Sequence, residues 1–143
     1  MNIDKFKHQH LDILACIDEL RQLARGGIEE NAAKIASRII AMSSVIKLHL
    51  AVEDRMLYPV LQASSNVALA KMSEHYQGEM QGIAHAYLAF AGKWNMPAKV
   101  KNEPEQFRRE ANVVLKILFD RMKREDNEFY PAIDACEPGT QAA

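Results

Sequence analysis

LHLAVEDRMLYPVL, residues 48–61, returns later in the chain as FDRMKREDNEFYPAI, residues 119–133. Superposed, Glu53-Asp54 meets Glu125-Asp126, and Tyr58-Pro59 meets Tyr130-Pro131. The first copy carries His49 four residues before its glutamate; the second carries Arg121 in that place. Residues four apart lie about 400° round an α-helix, so they share a face. A His-x-x-x-Glu pair on such a face aims a nitrogen and a carboxylate at one point.

Each copy closes a longer apolar period. Ile35, Ile39, Met42, Ile46, His49 and Glu53 recur at alternating spacings of four and three, a stripe facing one partner surface. Phe107, Ala111, Val114, Leu118, Arg121 and Glu125 form the matching stripe of the second copy. Ile3, Phe6, His10, Ile13, Ile17 and Leu20 make a third, and Ala68, Met72, His75 and Glu79 a fourth. Breaks fall at Gly26-Gly27, around Pro59, and from Pro97 to Pro104. No six-residue segment alternates as a half-buried strand would.

The pattern predicts four helices. The first runs from residue 3 or 4 to 24 and the second from 29 to 58, where Pro59 should kink or end it. Ser64, Ser65 and Asn66 are cap candidates for the third, which extends to Trp94. Residues 95–102 read as a loop, and Pro104 opens the fourth helix. Tyr130-Pro131 closes it, and the tail from about 137 reads as frayed. Long helices with short links make an antiparallel up-down-up-down four-helix bundle, all-α, one domain over residues 1–143.

Composition narrows the function. With 143 residues, 48% of them apolar, the chain supports one core. A net charge of −1 argues against a general nucleic-acid binder, which needs a basic face. No unbroken run of roughly 18 apolar residues marks a membrane span. The start, MNIDKFKHQH, lacks the apolar stretch of a signal peptide. Cys16 and Cys136 stand alone, without a CxxC. These features together describe a cytoplasmic protein with no membrane partner. Trp94 and the segment to Pro104 are the place for a contact in a possible homo-oligomer.

Charged groups normally avoid the seam of a bundle. Here His10, His49, Glu53, His75, Glu79, Arg121 and Glu125 all fall on stripes defined by apolar neighbours. Buried ions without partners cost several kcal/mol each. A divalent or trivalent cation would compensate carboxylates and neutral imidazoles together. One His-x-x-x-Glu is more often a surface pair than a ligand set. Two of them in seams, joined by a histidine on the first helix and a glutamate on the fourth, favour a metal site. His10 is its weakest member, since a lone histidine on an apolar stripe is more often a satisfied core residue. His8 and His85 read as solvent-facing. Imidazole and carboxylate together suit iron, manganese or zinc.

The chain resembles the hemerythrin family of His-His-Glu cation-binding bundles. The resemblance rests on His10 in KHQHLDIL, His49 and Glu53 in HLAVEDRMLYP, His75 in SEHYQGEM and Glu125 in RMKREDNEFYP. It implies a non-haem centre of two irons, with His10 and His49 on one iron, Glu53 and Glu125 bridging, and His75 on the other. Glu79 would be a substituted ligand of the second iron. Some members take the bridging carboxylate one residue later, at the place of Asp126; helix geometry favours Glu125.

Arg121 departs from the family pattern, which has a histidine there. Arginine stays protonated and cannot ligate a metal. Three outcomes follow: a carboxylate-rich dinuclear site with Arg121 at its edge, a mononuclear site with the guanidinium in place of the second metal, or a metal-free Arg–Glu network. The functional expectation is a protein binding or sensing dioxygen, nitric oxide or iron. The alternative is a di-iron oxidoreductase with peroxidase-like or ferroxidase-like activity.

Overall fold

The computed structural model describes residues 2–136; the expected frayed tail from 137 lies outside the described residues. Among these residues there is helix and no strand. Helix α1 is Asp4–Arg25, α2 Ala32–Val52, α3 Tyr58–Gln62, α4 Val67–Trp94, α5 Pro97–Asn102, α6 Pro104–Arg124 and α7 Tyr130–Cys136. A π-helical turn, Glu53–Leu57, joins α2 to α3, and a second, Glu125–Phe129, joins α6 to α7. Helix α1 packs on α2 and α6, and α4 packs on the same two.

Local chemistry explains the boundaries. Gly27, at φ 120°, turns the chain between α1 and α2 in a conformation L side chains rarely adopt. Asn66 is the cap realised at the start of α4, its Oδ1 accepting from the Leu69 amide at 3.0 Å. Pro104 occupies the first turn of α6. The expected loop after Trp94 instead holds the short α5, with Pro97 in its first turn and Val100 buried as its anchor. Trp94 is itself fully buried, edge-on to Phe107 at 5.4 Å, with its indole N–H donated to Glu110. It belongs to the core and offers no surface for a second copy.

The repeat has a structural meaning that its apolar period does not convey. Pro59 and Pro131 do not end their helices. Each lacks an amide hydrogen, and a π turn comes just before it. The Tyr58 amide donates to the Glu53 carbonyl, and the Tyr130 amide to that of Glu125, each five residues back. In a regular α-helix, five residues overshoot one turn by roughly 140°. The wider π turn brings the tyrosine back over the glutamate that opens it.

One consequence is a continuous helix, Ala32–Gln62, of 31 residues, long and apolar enough by length and composition to cross a membrane. Exposed Ile40, Leu48, Met56 and Val60 give it that character although no unbroken apolar run is present. Its other face is a core stripe that holds His49 and Glu53.

Two apolar clusters form the interior. The larger contains Ile13, Ile46, Met80, Leu118 and Met122; the smaller contains Phe6, Leu57, Tyr76, Phe129 and Tyr130. Burying each large apolar side chain stabilises the fold by about 1.5–3 kcal/mol. Three helices carry polar side chains in the gap between the clusters. The buried order is Phe6-His10-Ile13 on the first, Ile46-His49-Glu53-Leu57 on the second, and Leu118-Arg121-Glu125-Phe129 on the third.

Candidate metal centre

His10, His49, Glu53 and Glu125 are buried together, with one donor atom from each within 4.8 Å of the others. That spread is close to twice the roughly 2.0–2.2 Å bonds of a transition-metal ion to nitrogen or oxygen. The two imidazoles meet with Nε2 to Nε2 at 3.1 Å. His10 Nε2 lies 2.8 Å from Glu125 Oε1, and His49 Nε2 lies 3.1 Å from Glu53 Oε1.

The opposite ring nitrogens reveal what this arrangement needs. His10 Nδ1–H donates to Asp126 Oδ1 at 3.0 Å, and His49 Nδ1–H donates to Gln9 Oε1 at 2.6 Å. Such outer acceptors fix the tautomer and orient the ring. In neutral imidazoles, both Nε2 lone pairs then face each other and two carboxylate oxygens. Acceptors opposed to acceptors at these distances require protons or a cation between them. The donor set, two imidazoles and two carboxylates, suits a transition-metal ion.

Without a metal, protons must fill the role. Burial pushes the His49 imidazole toward its neutral form, but hydrogen bonds to Glu125 and Glu53, which accept from it, outweigh burial and raise its pKa to about 9. Burial, and then the Glu125 charge, raise the carboxyl of Glu53 above the usual range. Burial acts the same way on Glu125, yet hydrogen bonds from His10 and His49 and the Arg121 charge hold it well below that range. The two carboxyls of the repeat are therefore pushed in opposite directions, Glu125 toward its charged form and Glu53 toward its protonated form.

Arg121 adds to that difference after the two histidines. Its side chain is buried, and its Nε donates to Glu125 Oε2 at 2.5 Å. Its Nη2 donates to the Tyr76 carbonyl at 2.6 Å, and the guanidinium lies 4.5 Å from the centre of the Tyr76 ring. Among the described residues Nη1 has no hydrogen-bond partner, and it is 3.8 Å from Glu79 Oε1.

The structure does not bring His75 and Glu79 into the cluster. His75 is 68% exposed and touches Glu79 at 3.3 Å on the surface. Glu79 is 38% exposed and accepts from Arg124 at 3.1 Å, so Arg124 is its principal partner and Arg121 only a distant one. The buried stripe of α4 is Leu69, Ser73, Tyr76, Met80, Ala84 and Tyr87, one residue, or roughly 100°, from the stripe of His75. The larger apolar side chains Tyr76, Met80 and Tyr87 carry the signal for this face. Helix α4 therefore supplies a carbonyl and an aromatic ring, and no side-chain donor. His8 and His85 are exposed.

Two groups at the site stand outside the histidine and carboxylate patterns. Tyr130 Oη lies 2.9 Å from His10 Nε2, 3.3 Å from Glu125 Oε1 and 3.4 Å from Glu53 Oε2. Tyr58 Oη lies 3.5 Å from Glu53 Oε1. The repeated Tyr-Pro was the signal for both, hidden because five-residue spacing places them off-face in a regular helix. Gln9, next to His10, is the other residue found only in three dimensions.

A family model described as the hemerythrin HHE cation-binding domain matches residues 1–133. No curated protein and no solved structure matches the chain.

Proposed function

Because this chain belongs to the hemerythrin HHE cation-binding domain family, we propose that it holds one iron ion per chain in an up-down-up-down bundle and binds or senses a small ligand there. His10, His49, Glu53 and Glu125 hold the ion. Arg121 replaces the second metal of the family, neutralising Glu125 from the side where another ion would sit. The reading thus departs from a di-iron centre, because the second set of donors, His75 and Glu79, faces outward.

The observation that supports it best is the opposition of the two Nε2 atoms at 3.1 Å, each also facing a carboxyl oxygen. Bound iron supplies redox chemistry and open coordination positions for dioxygen or nitric oxide. The chain's own residues orient the imidazoles through Asp126 and Gln9, exclude bulk water with the flanking apolar clusters, and fix charge at Glu125. Iron, manganese and zinc all suit this donor set, and iron is the metal that serves a dioxygen or nitric oxide ligand.

Metal analysis of full-length protein produced with iron tests the proposal. The expected ratio is near one iron per chain, falling to zero in His49→Ala. A ratio near two overturns the single-ion reading. A ratio near zero points to the second reading, a metal-free network in which protons and Arg121 balance the carboxylates. The raised pKa of His49 favours that alternative.

A further inference from the structure

Resting on the metal reading above, we propose that Tyr130 is a fifth protein ligand, giving a phenolate oxygen to a ferric ion held by His10, His49, Glu53 and Glu125. Its Oη stands beside three of the four donors: 2.9 Å from His10 Nε2, 3.3 Å from Glu125 Oε1 and 3.4 Å from Glu53 Oε2. The residue is buried and its ring is fixed by neighbours. It lies 5.0 Å from the His10 ring and 6.0 Å from Phe129, centre to centre.

Hydrogen bonding alone does not satisfy this position. A phenol has one proton and here faces an imidazole nitrogen and two carboxyl oxygens, three acceptors when both carboxyls are ionised. Donation to any one leaves its oxygen lone pairs against the other two. A cation at the common point of these donors turns each of those repulsions into a bond. Coordination replaces the phenol O–H bond by an oxygen–iron bond and releases the proton to solvent, with no change of oxidation state. A charged oxygen donor favours the trivalent ion over the divalent one.

The second tyrosine of the repeat provides an internal control. Tyr58 has the same sequence context and the same π turn, yet it approaches one ligand oxygen only, at 3.5 Å. The distinction arises in packing: Tyr130 is the tyrosine that reaches His10 across the bundle.

The test adds one equivalent of ferric iron, as ferric citrate, to the full chain, with iron content and visible absorption read together. Wild type is expected to show a phenolate-to-iron(III) charge-transfer band. Tyr130→Phe should bind iron and lose the band; Tyr58→Phe should keep it. Stoichiometric iron with no band in wild type, or a band that persists in Tyr130→Phe, overturns the assignment and leaves the metal reading standing. Failure of wild type to bind iron overturns both. If Tyr130→Phe no longer folds or holds iron, resonance Raman on ring-deuterated wild type decides. Shifted, enhanced phenolate modes support the assignment, and their absence overturns it.

Discussion

Arg121 near the end of α6 and Glu125, one helical turn on at the start of the π turn, form a fully buried ion pair at 2.5 Å that places a fixed positive charge at the centre. Two carboxylates alone would carry two negative charges between the apolar clusters. With the guanidinium they carry one, and the protons or metal at the histidines meet the remainder. The arginine is therefore a fixed cation built into a site that otherwise recruits mobile ones.

Replacing that cation separates stability from affinity. Arg121→Met should destabilise the metal-free protein by about 3–5 kcal/mol, the usual cost of stripping one partner from a buried pair. Divalent metal should bind more tightly, because both carboxylates then lack a positive neighbour. Denaturant melts with and without metal check both signs. Equal loss of stability and affinity would mean that Arg121 only supports the fold.

The two glutamates of the repeat should respond differently to the same change. Its surroundings push Glu53 toward the protonated form without metal, and glutamine mimics a protonated carboxyl. Glu53→Gln should leave metal-free stability within about 1 kcal/mol while weakening metal binding sharply. Glu125→Gln removes the partner of Arg121 and should cost about 3–5 kcal/mol in either state. Chemical denaturation in chelator, paired with metal analysis, distinguishes them.

Dependence on pH follows from His49. Its folded pKa, about 9, lies above the ordinary value of 6.5. The stability it adds to metal-free protein is thus fully present below pH 6.5 and disappears as pH rises through 9. The loss is of order 3 kcal/mol. Metal affinity should move the other way over the same window, since a proton on His49 competes with the ion. Melts in chelator at several pH values, with metal titrations beside them, test the opposed trends. A flat metal-free profile would contradict the imidazole–carboxylate geometry.

Surface position predicts that His75→Ala has little effect. The residue is 68% exposed and pairs with Glu79 outside the core, so stability should change by less than about 0.5 kcal/mol. Bound metal should be unchanged, whereas His10→Ala and His49→Ala should abolish it. Metal content per chain, compared across the three variants, checks this. Loss of metal in His75→Ala would restore that side chain to the centre.

The amino-acid pattern alone determined that the chain is helical and that His10, His49, Glu53 and Glu125 share faces with core residues. Those facts follow from periodicity, because residues three and four apart on a helix stay aligned wherever the helix packs. Packing decided the rest. The rotation of α4 about its axis turned on whether Tyr76 and Met80 or His75 and Glu79 entered the core, and the larger apolar surface took precedence. The π turns carried Tyr58 and Tyr130 over their glutamates by breaking the very period on which a linear reading depends. Only contact between helices could then bring Tyr130 to His10 and pair Glu79 with Arg124 more closely than with Arg121. A side chain's partner across a bundle is set by the fit of whole surfaces, which no local spacing encodes.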